Sequence, residues 1–207
     1  VNLHTLVAPQ GVEIVSSGVA GLEAVLRIQG GTQSFPLLPA REGMERLPLV
    51  IQEEYILRPG ERNLEIRTTF TNPTDRTIAF DCGDLFFFGT NLVLSGAGNA
   101  YGEGAGQVPY LTAHHETLTG ASYGWTTDDR EMLVPFEDAS QSGAVQDAER
   151  LKAGRSKACY RYLIIGDGDS ASVTDEYFRM GEVGTGTIEG RLELGTQGYV
   201  DAARAII

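Results

Sequence analysis

The chain has 207 residues, of which 28 are acidic and 16 basic, for a formal net charge of −12. That balance argues against a nucleic acid or an anionic lipid surface as a partner, and no apolar run approaches the roughly 20 residues of a transmembrane helix. A chain this long buries well over half of its unfolded surface, so it can fold without a disulfide or a metal.

Residues 11–16 and 22–28 read as two short strands around a turn at Ser17–Gly21, with Ala24, Leu26 and Ile28 facing in and Glu23 and Arg27 facing out. Phe35–Pro39 reads as an extended edge segment, because each proline removes a ladder donor. The best-specified stretch is Leu49–Asp84, where the pattern predicts a meander of three consecutive antiparallel strands at 49–57, 63–71 and 76–82. In the second, Leu64, Ile66, Thr68 and Phe70 alternate with Glu65, Arg67, Thr69 and Thr71; in the third, Ile78, Phe80 and Cys82 alternate with Thr77, Ala79 and Asp81. The first is less clean, since Glu53 shares a face with Ile51, Tyr55 and Leu57. Arg58-Pro59-Gly60-Glu61 suits a type II turn, with proline presetting one central φ and glycine accepting the positive φ that follows; Asn72-Pro73-Thr74-Asp75 is a second turn signal.

Leu85–Phe88 and Leu92–Leu94 read as buried strands. Ser95–Gly106 carries five glycines in twelve residues and reads as a surface loop; it lacks G-x-G-x-x-G and G-K-[ST] and has no helix after it to hold phosphate. Residues 108–118 and 121–127 are expected to form a hairpin ending near Trp125, and 137–157 a loop with a short strand around Ala144-Val145. Ala158–Ile165 is a strand. Ser170–Met180 is the helix candidate, capped by Asp169 or Ser170, with Val173, Tyr177 and Met180 on one face and Gly181 closing it. Gly186–Leu194 alternates as a further strand. These elements predict an all-β fold: an antiparallel β-sandwich, with a supersandwich as its larger variant, and one short helix near residues 170–180. Residues 1–184 form the sandwich domain, and 185–207 the start of a second β module or a terminal strand pair. Beginning at Val1-Asn2 and stopping within the strand-like Ile206-Ile207, the chain reads as a piece of something longer.

Cys82 falls on the buried face of its strand, whereas Cys159 shares a face with Lys157 and Arg161, opposite the apolar row Ala158, Tyr160, Tyr162 and Ile164. That parity argues against a bridge between them.

Several residue patterns invite chemistry. Gly120–Gly124 matches G-x-S-x-G, but a nucleophile elbow needs a strand-to-helix turn and a histidine after the serine, and the histidines are His4, His114 and His115. Neighbouring strand residues point to opposite faces, so His114 and His115 do not converge on one ion. Asp167 and Asp169 offer oxygen ligands for calcium, yet Ala171 and Ser172 break the EF-hand pattern, and helix capping accounts for the pair. The best site hypothesis is an aromatic platform for a carbohydrate: Tyr101, Tyr123 and Trp125 around the glycine loop, with His115 nearby.

Three stretches, Glu54–Asp84, Ser122-Tyr123-Gly124 and Ile165–Asp169 with the helix after it, together resemble the N-terminal β-domain of large secreted bacterial metallohydrolases of the polymerase-and-histidinol-phosphatase type. Gly186–Ile207 is similar to the first strands of a carboxypeptidase-regulatory-like module. The meander and its Asn-Pro turn bear a more distant similarity to the galactose-mutarotase-like supersandwich. The first resemblance implies an extracellular or periplasmic accessory module, non-catalytic in itself, that acts as a scaffold or binds carbohydrate, with neighbouring domains of the same chain as partners. The family's metal ligands have no counterpart here. The second similarity implies a different class, a carbohydrate-active enzyme of mutarotase type using His114 or His115 with a glutamate.

Overall fold

The computed structural model describes residues 5–34, 47–87, 92–96, 106–115, 120–129, 132–134, 141–184 and 186. Two antiparallel sheets face each other. The larger runs β1 (Thr5–Ser17), β2 (Ala24–Ser34), β3 (Val50–Leu57), β4 (Asn63–Thr71), β12 (Ser156–Gly166), β9 (Ser122–Thr127), β8 (Tyr110–His115) and β6 (Leu92–Gly96). The smaller runs β5 (Ile78–Phe87), β11 (Gln141–Leu151), β10 (Met132–Val134) and β7 (Gly106–Val108). One helix, α1 (Ser170–Met180), lies on the large sheet. The expected all-β sandwich with a helix at 170–180 is what forms; Tyr101 and all but Gly186 of the strand expected at 186–194 lie outside the described residues.

The β3–β4 hairpin follows from its turn. Gly60 has φ of 77°, and the Glu61 N–H donates to the Arg58 carbonyl at 3.2 Å. Leu64, Ile66, Thr68 and Phe70 face the small sheet, as their alternation requires.

The third strand does not continue the meander. β5 leaves for the small sheet and pairs with β11, while β12 takes the free edge of β4. The cause is a corner at Asn72, which is fully buried. Its Nδ2 donates to the carbonyls of Arg76 (2.7 Å) and Leu151 (2.9 Å), and its Oδ1 accepts from the Thr74 N–H (2.9 Å). Its own N–H donates to the Arg155 carbonyl and its carbonyl accepts from Gly154, both at 3.0 Å. One side chain thus fastens the turn out of β4 to the β11–β12 connection.

Three other expectations change. Residues 137–157 are not mainly loop, since β11 spans eleven residues at the centre of the small sheet. A register shift between Val145 and Ala148 puts the buried Ala144 and Leu151 on opposite parities, which erases the alternation from the sequence. Leu85–Phe87 completes β5 rather than forming a separate strand. Within residues 24–28 of β2 the buried residue is Val25, opposite Ile56, while Ala24, Leu26 and Ile28 are half-buried.

Between the sheets, Leu49, Ile51, Phe70 and Cys159 pack on Ile78, Phe80, Cys82 and Leu151, and Ile66, Leu111 and Trp125 pack on Val108, Met132, Val134 and Ala144. On the outer face, Val173 and Tyr177 of α1 sit on Ile164 and Tyr110. The helix approaches closely because Gly124 and Gly166 lie beneath it; a β-carbon at either would collide with Val173. Gly124 is the second glycine of the G-x-S-x-G match, so helix packing accounts for it. Asp169 caps α1, its Oδ1 accepting from the Ser172 N–H at 2.8 Å.

Replacing Asn72 with Ala leaves the Arg76 and Leu151 carbonyls without their amide donor. The expected loss is about 2–3 kcal/mol, measured as a lower denaturation midpoint at unchanged slope.

Candidate functional site

α1 covers only part of the outer face of the large sheet. Past its C-terminal turn that face opens into a groove of about 380 Å³, within the size range of small-molecule sites. The floor is a row across three neighbouring strands: Glu65 of β4 lies opposite Tyr162 of β12, which lies opposite Thr126 of β9. The β3–β4 turn contributes Arg58 and Glu61, Asp128 follows β9, and the end of α1 adds Tyr177, Arg179 and Glu182.

Charge is arranged unevenly here. Glu65 is buried, yet both oxygens are satisfied: Arg58 Nη2 donates to Oε2 (2.7 Å) and Arg67 Nη2 to Oε1 (2.9 Å). The pairing continues along the face as a ladder, from Arg67 to Glu54 (3.6 Å), Glu54 to Arg27 (2.9 Å) and Arg27 to Glu13 (3.3 Å). Arg67 also lies 5.3 Å over the Tyr160 ring. At the far wall Arg179 is held by Glu176 through two bonds of 2.7 and 2.6 Å, and Glu176 accepts from Asn63 Nδ2 at 3.0 Å. Both arginines of the groove are therefore neutralised by carboxylates, while Glu61, Asp128 and Glu182 add negative charge at the rim. Burial, then the nearby Glu65 and Asp128 carboxylates, push the Tyr162 phenol up, so it stays protonated and can donate. An aromatic ring, a phenol donor and several carboxylate acceptors suit hydrogen bonding to a polyhydroxylated molecule.

The inner face of the same strands holds a second polar cluster. Arg161 of β12 is 4% exposed; its Nη1 donates to Asp84 Oδ1 of β5 (2.7 Å), and its Nη2 to Glu53 Oε2 of β3 (3.1 Å) and to Thr68 Oγ1. Thr68 Oγ1 donates to Glu53 Oε2 (2.8 Å), and the Tyr55 hydroxyl to Glu53 Oε1 (2.5 Å). Burial is the leading influence on Asp84 and pushes its carboxyl up, against the pull of Arg161. Arg161 Nε and Asp84 Oδ2 are buried without a hydrogen-bond partner.

This placement corrects one expectation. Cys159 and Arg161 lie on the interior face, while Tyr160 and Tyr162 belong to the groove side. Glu53 misfits its apolar row and Arg161 stands opposite the apolar row of its own strand; two such charges of opposite sign on separate strands are the available sequence mark of a buried pair. Nothing in the alternation singles out Tyr162, which reads as core.

Of the residues expected to form an aromatic platform, the structure describes the side chains of Tyr123 and Trp125. Tyr123 is exposed at 38%, but Trp125 is buried against Phe86, with ring centroids 4.6 Å apart. Tyr101 and the side chain of His115 lie outside the described residues. His114 shares a hydrogen bond between Nδ1 and Ser170 Oγ (3.1 Å) at the start of α1. Asp169 caps that helix, and Asp167 pairs with Arg62 at 2.6 Å. No group of three or more metal-ligating side chains occurs among the described residues, and no described helix is long and apolar enough to cross a membrane.

No protein-family model matches the chain, and no curated protein does. Solved structures share a distant likeness. The chain is similar to a putative aldose 1-epimerase from Klebsiella pneumoniae, at 11% identity and a TM-score of 0.48, over 83% of this chain and 57% of that one. A galactose mutarotase-like protein from Lactobacillus casei matches at 9% identity and a TM-score of 0.41, over 74% and 73%. A TPR-domain containing protein from Parabacteroides distasonis matches at 12% identity and a TM-score of 0.45, over 90% and 37%. The chain thus spans little more than half of the first protein and about a third of the last. Neither the metallohydrolase nor the carboxypeptidase-regulatory-like resemblance is matched by these comparisons.

Two predictions follow from the charged clusters. Arg161→Met leaves Glu53 and Asp84 buried without their cation, with an expected loss of about 3–5 kcal/mol. A carboxyl raised in the folded state stabilises below its unfolded pKa and loses that contribution as pH rises, so the deficit of the variant shrinks on acidification in denaturant titrations. Glu176 behaves oppositely. The hydrogen bonds from Arg179, set against burial and helped by Asn63, hold its carboxyl below the usual range, so its contribution is present above the unfolded value and disappears as pH falls through the folded one. Glu176→Gln is expected to cost about 1 kcal/mol near neutrality, with the two proteins converging in acid by thermal or chemical melting.

Proposed function

We propose that this chain is a carbohydrate-binding accessory module, non-catalytic in itself, of an exported multidomain protein, and that its binding site is the groove between the large sheet and the end of α1. An extracellular or periplasmic location belongs to this reading. The observation that supports it is the lining: the rings of Tyr162 and Tyr177, with Tyr162 a protonated phenol donor, beside several carboxylate acceptors. The rim charge sharpens the ligand class. With Arg58 and Arg179 already neutralised and Glu61, Asp128 and Glu182 added, neutral and amino sugars fit and acidic sugars are repelled.

The test is a calorimetric titration with neutral, amino and acidic sugars, from monosaccharides to short oligomers. Binding of the first two classes and none of the third is expected, with Tyr162→Ala lowering affinity roughly tenfold, about one aromatic contact. No heat across the panel would remove the reading. A parallel polarimetric assay separates it from a mutarotase-type enzyme, because a binding module leaves the spontaneous interconversion rate of the anomers unchanged.

A further inference from the structure

We propose that Cys82 and Cys159 form a disulfide that joins the two sheets when the chain folds in an oxidising medium. Both thiols are free and buried, at 2% and 5% exposure. Cys82 lies on β5 of the small sheet and Cys159 on β12 of the large one, within the same core cluster as Ile51, Phe70, Phe80 and Leu151. The Arg161–Asp84 ion pair (2.7 Å) lies two residues further along each of these strands, so it sets the two cysteines against each other across the gap. A bridge across facing sheets is sterically ordinary, as immunoglobulin-type sandwiches carry one, and here the two cysteines project into the same core cluster. A metal does not account for the pair, since no third ligating side chain joins them among the described residues.

With a low-molecular-weight disulfide as oxidant, one of the two cysteines, as its thiolate, displaces one thiolate of that reagent and becomes a mixed disulfide. The other cysteine, losing its proton, then attacks the protein sulfur of that mixed disulfide and releases the second thiolate. Two protein thiols are oxidised, one reagent disulfide is reduced, and both protons end on the released thiols. Because the pair is buried, the exchange belongs to folding, before the sheets close.

The experiment refolds the full chain from denaturant in oxidised and reduced glutathione, and in reductant alone. The expected product from the first is monomeric, two hydrogens lighter in intact mass, with a Cys82–Cys159 linked peptide on non-reducing digestion. Its Tm is higher than that of the reduced form by roughly 5–15 °C. Cys82→Ser and Cys159→Ser should each abolish that redox-dependent shift, and Cys→Ala versions serve if serine prevents folding. Free thiols after oxidative refolding, cross-linked dimers in place of the internal bridge, or a bridged form that melts no higher than the reduced one would each overturn the proposal.

Discussion

The constraint on which the sandwich depends is the guanidinium of Arg161. It sits between two sheets packed largely through apolar side chains, and it bonds to a carboxylate on each: Glu53 within its own sheet and Asp84 across the gap. A cation removed from water on this scale is costly unless its partners are in place. β3, β12 and β5 must therefore meet in one register, and a slip by one residue in any of them would turn a charge out of the cluster and leave its partner uncompensated. Thr68 and Tyr55 complete the arrangement by holding Glu53 from both sides. The same geometry brings Cys82 and Cys159 into one core cluster, since both lie two residues from a member of the charged cluster on their own strands.

Strand alternation lets the same three strands do two jobs. Toward the small sheet β4, β12 and β9 present Ile66, Arg161, Leu163 and Trp125, which hold the fold; away from it they present Glu65, Tyr162 and Thr126, which floor the groove. α1 covers one end of the outer face because Gly124 and Gly166 let it down onto the strands, and the end of the helix becomes a wall. The groove is thus a gap between a helix that stops at Gly181 and an ion-paired sheet surface, so its walls are built from side chains already fixed for structural reasons.

Features governed by local backbone chemistry were legible in the sequence. The Pro59-Gly60 turn, the β3–β4 alternation and the capped helix at 170–180 are all stated within a few residues of where they occur. What is settled by long-range contact was not. The Asn72-Pro73 signal marks a turn, but only the donors and acceptors of Leu151, Gly154 and Arg155, far along the chain, make it a corner between sheets. β11 was hidden by its bulge. In β12 every second residue is apolar on one face, and that row is the one that faces the groove; the interior row contains Arg161, whose polarity is hidden by partners on two other strands. Trp125 illustrates the same limit from the other side, since an aromatic beside a glycine-rich loop looks accessible until Phe86 arrives from the opposite sheet.

The position of β12 also makes the large sheet depend on a single strand. It is the last strand described along the chain, yet it stands in the interior of the large sheet, between β4 and β9. Until it is in place, β1–β4 and β9–β8–β6 are two separate ribbons, each with an unpaired edge turned toward the other. Closing the sheet therefore joins residues from distant parts of the chain, the kind of pairing that makes folding slow. A chain shortened ahead of Ser156 would accordingly be two sticky fragments tethered together, with no smaller domain to fall back on.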